Sequence, residues 1–191
     1  MGFGIGVPGP GTAKGVFTRC GNLGWGRFNI HEELGKRTGL PVKAGNDANV
    51  AALGEFWMGG GMGSENMVFV TLGTGVGGGI VVDGKLLHGA HGSGAEIGHL
   101  VLNRDETAVC GCGKRGCVEQ YCSASGIVRM AKKELEASEE ESSLRSLDRM
   151  TCKDIFDAGK DGDKLALAVL DQYYAYMGEF LANVCNVVNP A

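Results

Sequence analysis

Met67-Val68-Phe69-Val70-Thr71-Leu72-Gly73-Thr74-Gly75-Val76-Gly77-Gly78-Gly79-Ile80-Val81-Val82 sets a glycine-rich loop between two β-forming runs. Met67 to Leu72 is β-branched and aromatic and reads as a strand; Gly79 to Val82 reads as a second. Dinucleotide fingerprints and Walker loops open a helix, and none follows here. Gly73 to Gly79 therefore reads as the turn of a β-hairpin. Backbone N–H groups in such a loop can face a phosphate with no side chain in the way, and the Thr74 hydroxyl can add a bond. The competing reading is a flexible tip, in which five glycines among seven residues would cost stability without return. Asp83-Gly84 then reads as a two-residue turn into Lys85-Leu86-Leu87.

Working outward, Gly4 to Val7 reads as a strand and Pro8 to Asn29 as a Gly- and Pro-rich loop region. Ile30 to Thr38 reads as a helix stopped by Gly39, and Ala48 to Met58 as a second helix. Downstream, Ser125 to Ala137 is helical, followed by an acidic solvated stretch, Glu139 to Glu141. Thr151 with Asp154 resembles a helix N-terminal cap. Leu165 to Val188 is a long helix pattern closed by Asn189-Pro190. Both ends read as cut, which suggests an interior piece of a longer protein.

Cys110-Gly111-Cys112-Gly113-Lys114-Arg115-Gly116-Cys117 follows His99 closely. Three thiols and an imidazole match the ligand set of a closed structural zinc site, and the glycines allow its tight turns. Buried free thiols and a disulfide are the alternatives. Glu96 and Glu119 bracket the knuckle, as polar ligand contacts or as solvated glutamates. Cys122 reads as the start of the following helix. His88 and His91 read as loop histidines rather than ligands. Asp47, in Gly45-Asn46-Asp47-Ala48-Asn49, is either the cap of the next helix or a carboxylate that takes a proton from a substrate hydroxyl. Asn22 beside Trp25 could meet a sugar, amide to hydroxyl and ring to C–H face; alternatively Trp25 anchors a loop.

At 191 residues the chain can bury a sizeable core. A net charge of −4 gives no basic footprint for nucleic acid. No apolar run is long enough for a membrane span. Seven cysteines with a metal-like cluster suit a reducing cytoplasm. Glycine makes up 34 residues, against an average of about 7%, so tight turns or ligand-hugging loops are required.

Together these segments resemble the ROK family of repressors and sugar kinases, and within it the bacterial glucokinases. The matches are Gly6-Val7-Pro8-Gly9 with Asn22-Leu23-Gly24-Trp25, Gly45 to Asn49, Leu72 to Gly79, and Glu96-Ile97-Gly98-His99 with the cysteine knuckle and Glu119. The resemblance implies an α/β, actin/hexokinase-like (ribonuclease-H-like) ATPase fold with two lobes and a cleft. Residues 1–46 would be a remnant of the small lobe. Residues 47–191 would be the large lobe, with the hairpin phosphate loop at 67–87, the zinc knuckle at 94–119 and helices at 125–188.

The implied activity is transfer of the ATP γ-phosphoryl group to a sugar 6-hydroxyl, glucose first, with Mg-ATP as cosubstrate. Alternatives are an N-acetylhexosamine or fructose kinase and a sugar-sensing transcriptional regulator. By matching position Asp47 would be the catalytic base. Asn22, Asn46, Glu96, His99 and Glu119 would hold sugar hydroxyls, and Gly73, Thr74 and Gly75 would meet ATP phosphates. His99, Cys110, Cys112 and Cys117 would ligate zinc. The family often forms dimers, so the resemblance also implies a homodimer, while the charge and the short apolar runs imply no nucleic-acid or membrane partner. The family's Asp-x-Gly-Gly-Thr loop and its adenosine segment are not in this sequence, and its usual Ala-Gly-Glu reads Gly94-Ala95-Glu96.

Overall fold

The computed structural model describes all residues except 13, 19, 21 and 22. The chain divides into two compact units: residues 1–71 with 77–96 and 188–191, and residues 72–76 with 97–187.

In the first unit, β1 (Phe3–Val7) leads through the short strands β2 (Val16–Phe17) and β3 (Phe28–Asn29) into α1 (Ile30–Thr38), then β4 (Val42–Asn46) and α2 (Asp47–Met58). β1 and β4 pair in parallel, Phe3 opposite Val42 through Val7 opposite Asn46. A parallel pair needs a crossover, and α1 supplies it. The Asn29 side chain caps α1 by accepting from the His31 and Glu32 amides, and Gly39 ends it at φ 68°. Val7, Phe17, Cys20 and Ile30 form the buried core here, with Ile5, Phe28, Leu34 and Ala44 packed around them. Burying side chains of this size removes about 1.5–3 kcal/mol each of apolar exposure.

A second sheet orders β5 (Met67–Leu72), β6 (Val76–Val82) and β7 (Lys85–Leu86). Asp83 and Gly84 turn at φ 50° and 70° between β6 and β7, as the sequence predicts. The loop between β5 and β6 is shorter than expected, only Gly73 to Gly75, because Gly77, Gly78 and Gly79 lie within β6. The reason is packing. A Cβ at Gly79 would come within 2.2 Å of the Ala52 Cβ, and one at Gly77 within 3.0 Å of the Ala48 Cβ. Small residues on both elements thus let α2 lie directly on the sheet.

The second unit is mainly helical: α3 (Glu119–Cys122), α4 (Ala124–Ala137), α5 (Cys152–Lys160) and α6 (Lys164–Val188), the last residue of which belongs to the first unit. Cys122 is buried at the end of α3 rather than opening the next helix. Thr151 and Asp154 form a full capping box on α5. α6 turns Leu165, Val169, Leu170, Tyr173, Phe180 and Val184 inward at spacings of three, four and seven residues. Among the described residues, no helix is long and apolar enough to cross a membrane.

Candidate functional site

The cysteine segment folds as a tight knuckle. The Cys110 amide donates to the Lys114 carbonyl at 2.7 Å, and Gly113 returns a bond to Cys110 at 2.8 Å. Gly113 and Gly116 take φ values of 90° and 72°, the left-handed region that the notched Cys-Gly spacing allows. The ladder Leu102 to Gly116 and Val118 to Leu100, both 2.8 Å, ties the knuckle to the strand-like chain after His99. As a result the His99, Cys110, Cys112 and Cys117 donor atoms all lie within 4.8 Å of one another. Cys112 and Cys117 sulfurs are 3.6 Å apart, and Cys110 Sγ is 3.8 Å from His99 Nδ1.

Those separations fit a tetrahedral metal. Ligands about 2.3 Å from zinc at tetrahedral angles stand about 3.8 Å apart. They do not fit a disulfide, whose sulfurs lie about 2.05 Å apart, and all seven cysteines are free. Burial pushes the Cys110 thiol up, and burial with the adjacent thiols pushes Cys117 up to about 12. Burial also raises Cys112, but the Lys114 amide, the neighbouring sulfurs and the Lys114 charge outweigh it and hold this thiol below its ordinary value. A dication reverses this balance and releases protons as it binds.

Behind the knuckle sits a buried carboxylate that sequence reasoning missed. Glu106 accepts from the Ala108 amide at 3.0 Å and the Tyr121 hydroxyl at 2.8 Å, and pairs with Arg129 at 2.8 Å and Lys133 at 3.5 Å. Burial opposes its ionisation, but the amide, the hydroxyl and the guanidinium prevail and hold it at about 2. Arg129 also lies over the Tyr121 ring and donates to the Gln120 carbonyl at 2.9 Å. Gln120 in turn accepts from the Cys117 amide at 3.1 Å and donates to Ala108 at 3.0 Å. Two layers of bonds therefore fix the cysteine loop from behind. No local pattern around Glu106 announces this role, since its partners Tyr121 and Arg129 lie in later helices.

Glu119 is not a solvated residue. Its Oε2 accepts from the Val76 amide at 3.2 Å, and Cys110 Sγ donates to its Oε1 at 3.8 Å. A Cβ at Gly75 would lie 2.1 Å from that Oε2, so the carboxylate abuts the glycine loop itself. Gly73 and Thr74 are exposed and Gly75 half-buried. The Gly73 amide donates to the Gly75 carbonyl at 3.0 Å, which closes the loop tightly. The loop, Glu119, His99 and the three cysteines thus belong to one compact unit.

In the other unit the cap of α2 is Asn46, not Asp47. Asn46 Oδ1 accepts from the Asn49 amide at 3.0 Å, and its Nδ2 donates to the Gly9 carbonyl at 3.3 Å. Asp47 is the first helical residue, exposed, with Oδ1 accepting from the adjacent Ala48 amide at 2.9 Å. The capping duty that could have explained Asp47 is therefore carried by its neighbour. Glu96 is exposed and follows Ala95, which holds φ 62° in the region that favours glycine. The swap of small residues seen in the sequence therefore places a Cβ on a strained backbone position beside Glu96. His88 and His91 are exposed and stand outside the cluster of His99 and the three cysteines. Trp25 is half-exposed and meets Phe28 edge-on at 5.0 Å. Asn22 lies outside the described residues.

This fold and this donor set define a family. The chain belongs to the ROK family, whose model matches residues 1–191. A glucokinase of Halalkalibacterium halodurans is 43% identical over 194 residues, covering 98% of this chain and 59% of that protein. A xylose repressor of Caldicellulosiruptor bescii is 33% identical over 193 residues, covering 100% of this chain and 48% of the repressor. A solved ROK family glucokinase from Streptomyces griseus, in complex with glucose and AMPPNP, aligns with a TM-score of 0.86 at 35% identity, covering 99% of this chain and 62% of that one. The fold is accordingly of the α/β, actin/hexokinase-like class. The chain spans 59% of the length of the glucokinase relative.

Proposed function

We propose that the protein containing this chain transfers the γ-phosphoryl group of ATP to the 6-hydroxyl of a hexose, with glucose as the substrate. The observation that carries the reading is Asp47: an exposed carboxylate opening α2, relieved of capping by Asn46. A sugar sensor needs hydroxyl contacts; only a phosphotransferase needs a base.

In this reading Asp47 accepts the proton of the 6-hydroxyl. The hydroxyl oxygen forms the new bond to the γ-phosphorus while the bond to the β-phosphate oxygen breaks and ADP leaves. Asn22, Asn46, Glu96, His99 and Glu119 hold the sugar hydroxyls. Gly73, Thr74 and Gly75 receive the phosphates, with Mg²⁺ arriving on the nucleotide to screen their charge. Phosphoryl transfer depends chiefly on alignment and charge neutralisation; these residues supply the alignment, and Mg²⁺ on the nucleotide would supply the neutralisation.

His99, Cys110, Cys112 and Cys117 would hold zinc, which contributes a fixed frame for the sugar-binding side chains. His99 turns Nδ1 to the thiols, so Nε2 is the atom that would meet a hydroxyl. With Cys110 ionised as a ligand, its S–H no longer engages Glu119 Oε1, and that oxygen can accept from sugar. Seven unbridged thiols suit a reducing compartment, and we place the protein in the cytoplasm.

The similarity to a xylose repressor supports a second reading, a sugar-responsive regulator. A panel of glucose, mannose, fructose, N-acetylglucosamine and N-acetylmannosamine with Mg-ATP separates the two. The kinase reading predicts a 6-phosphate product, located by phosphorus NMR, with glucose the best substrate. Sugar binding without turnover of any member would instead support the regulator.

A further inference from the structure

The residues just past the metal ligands hold the glycine loop from behind. The Ala124 amide donates to the Gly73 carbonyl at 2.9 Å. The Ser125 hydroxyl donates to the Thr74 carbonyl at 2.6 Å. The Val76 amide donates to Glu119 Oε2 at 3.2 Å. All three partners come from the seven residues Glu119 to Ser125, which span α3 and the first turn of α4.

These bonds have a directional consequence. In a trans peptide the N–H points opposite to the C=O of the same plane. Binding the Gly73 carbonyl to α4 turns the Thr74 N–H away from α4. Binding the Thr74 carbonyl does the same for the Gly75 N–H. Two successive amides are thereby aimed to one side, as an anion-receiving loop requires. Glycine has little intrinsic preference for either orientation, so the aim must come from outside the loop.

Among the described residues, Ser125 is the side chain whose hydroxyl binds the Thr74 carbonyl and so sets the Thr74–Gly75 plane. Its neighbour Ser123 is fully buried and already committed: its hydroxyl donates to the Glu119 carbonyl at 2.6 Å and accepts from the Gly126 amide at 2.9 Å. A hydroxyl carries one proton. With each serine donating to a carbonyl, the 3.0 Å Ser123–Ser125 contact holds no proton of its own.

We propose that Ser125 is a positioning residue for nucleotide phosphate: its hydroxyl, bound to the Thr74 carbonyl, aims the Gly75 amide at the anion. The proposal rests on the kinase reading and adds a residue to it. Ser125 is exposed, so Ser125→Ala leaves no cavity, and Ser125→Thr keeps the hydroxyl.

The test is separate calorimetric titration of Mg-AMPPNP and of glucose into the wild-type protein and both variants, with melting temperatures alongside. Ser125→Ala should weaken AMPPNP about fivefold, the worth of one hydrogen bond, with glucose affinity and melting unchanged. Ser125→Thr should restore the nucleotide affinity. Equal AMPPNP affinity in wild type and Ser125→Ala overturns the proposal alone. So does a parallel loss of both ligands that Ser125→Thr fails to rescue, which would mark a purely structural role. A wild-type protein that binds neither ligand overturns the kinase reading and this proposal with it.

Discussion

Replacing Glu106 by Gln should cost about 3 kcal/mol of folding stability at neutral pH. The magnitude follows from its surroundings. The carboxyl is held at about 2 in the folded protein, against about 4.3 in an unfolded chain. That difference of about 2.3 units, at about 1.36 kcal/mol each, is about 3 kcal/mol. The value agrees with the roughly 3–5 kcal/mol lost when one partner of a buried ion pair is removed. Gln can still accept from Tyr121 and Ala108, but it leaves the Arg129 charge uncompensated against a largely buried guanidinium.

The sign with pH is fixed by the direction of the shift. A depressed folded value means the carboxylate stabilises fully above its unfolded value, and the contribution fades as pH falls from about 5 toward about 2. Urea unfolding of wild type and Glu106→Gln at pH 7 and again at pH 3 tests this. The gap in unfolding free energy should be about 3 kcal/mol at pH 7 and roughly halved, to about 1.4 kcal/mol, at pH 3. Equal unfolding midpoints at pH 7, or a gap that does not narrow in acid, would refute the argument.

Two further outcomes follow from the same geometry. Cys112→Ser should lower zinc content below one ion per chain by elemental analysis, and chelation should then lower the melting temperature of the wild type far more than that of the variant; a wild type that melts identically with and without chelator would remove the structural metal. Gly79→Ala should destabilise by about 1–3 kcal/mol, since its Cβ would be driven against Ala52; denaturant unfolding with an unchanged midpoint would contradict the α2-on-sheet packing.

How much was legible in the sequence depended on how local the cause was. α1 was readable to the residue, because Gly39 stops it locally. The Asp83-Gly84 turn and the Thr151–Asp154 cap were equally local. β4 was not readable: Val42-Lys43-Ala44-Gly45-Asn46 has little β-branched character and becomes a strand by pairing with β1, a partner far away in sequence. Gly77 and Gly78 look like loop in the sequence and become part of β6, because the close partner of Gly77, Ala48, is set by tertiary packing.

The candidate site shows the same division. The grouping of His99, Cys110, Cys112 and Cys117 was legible, since their spacing in the sequence already brings them close together. The sequence offered Asp47 as the cap of α2, and only the observed bond from the Asn49 amide gives that role to Asn46 instead. Glu106, Gln120 and Ser125 were invisible, because each is an ordinary polar residue until folding supplies its partners.

The most direct test of the central claim is glucose-dependent ADP release from Mg-ATP by the protein containing this chain, with Asp47→Asn as the control. The account predicts turnover in the wild type and its abolition in Asp47→Asn, with glucose binding by the variant largely intact. Full activity in Asp47→Asn would contradict the account, because the residue assigned as base would then take no part in the chemistry.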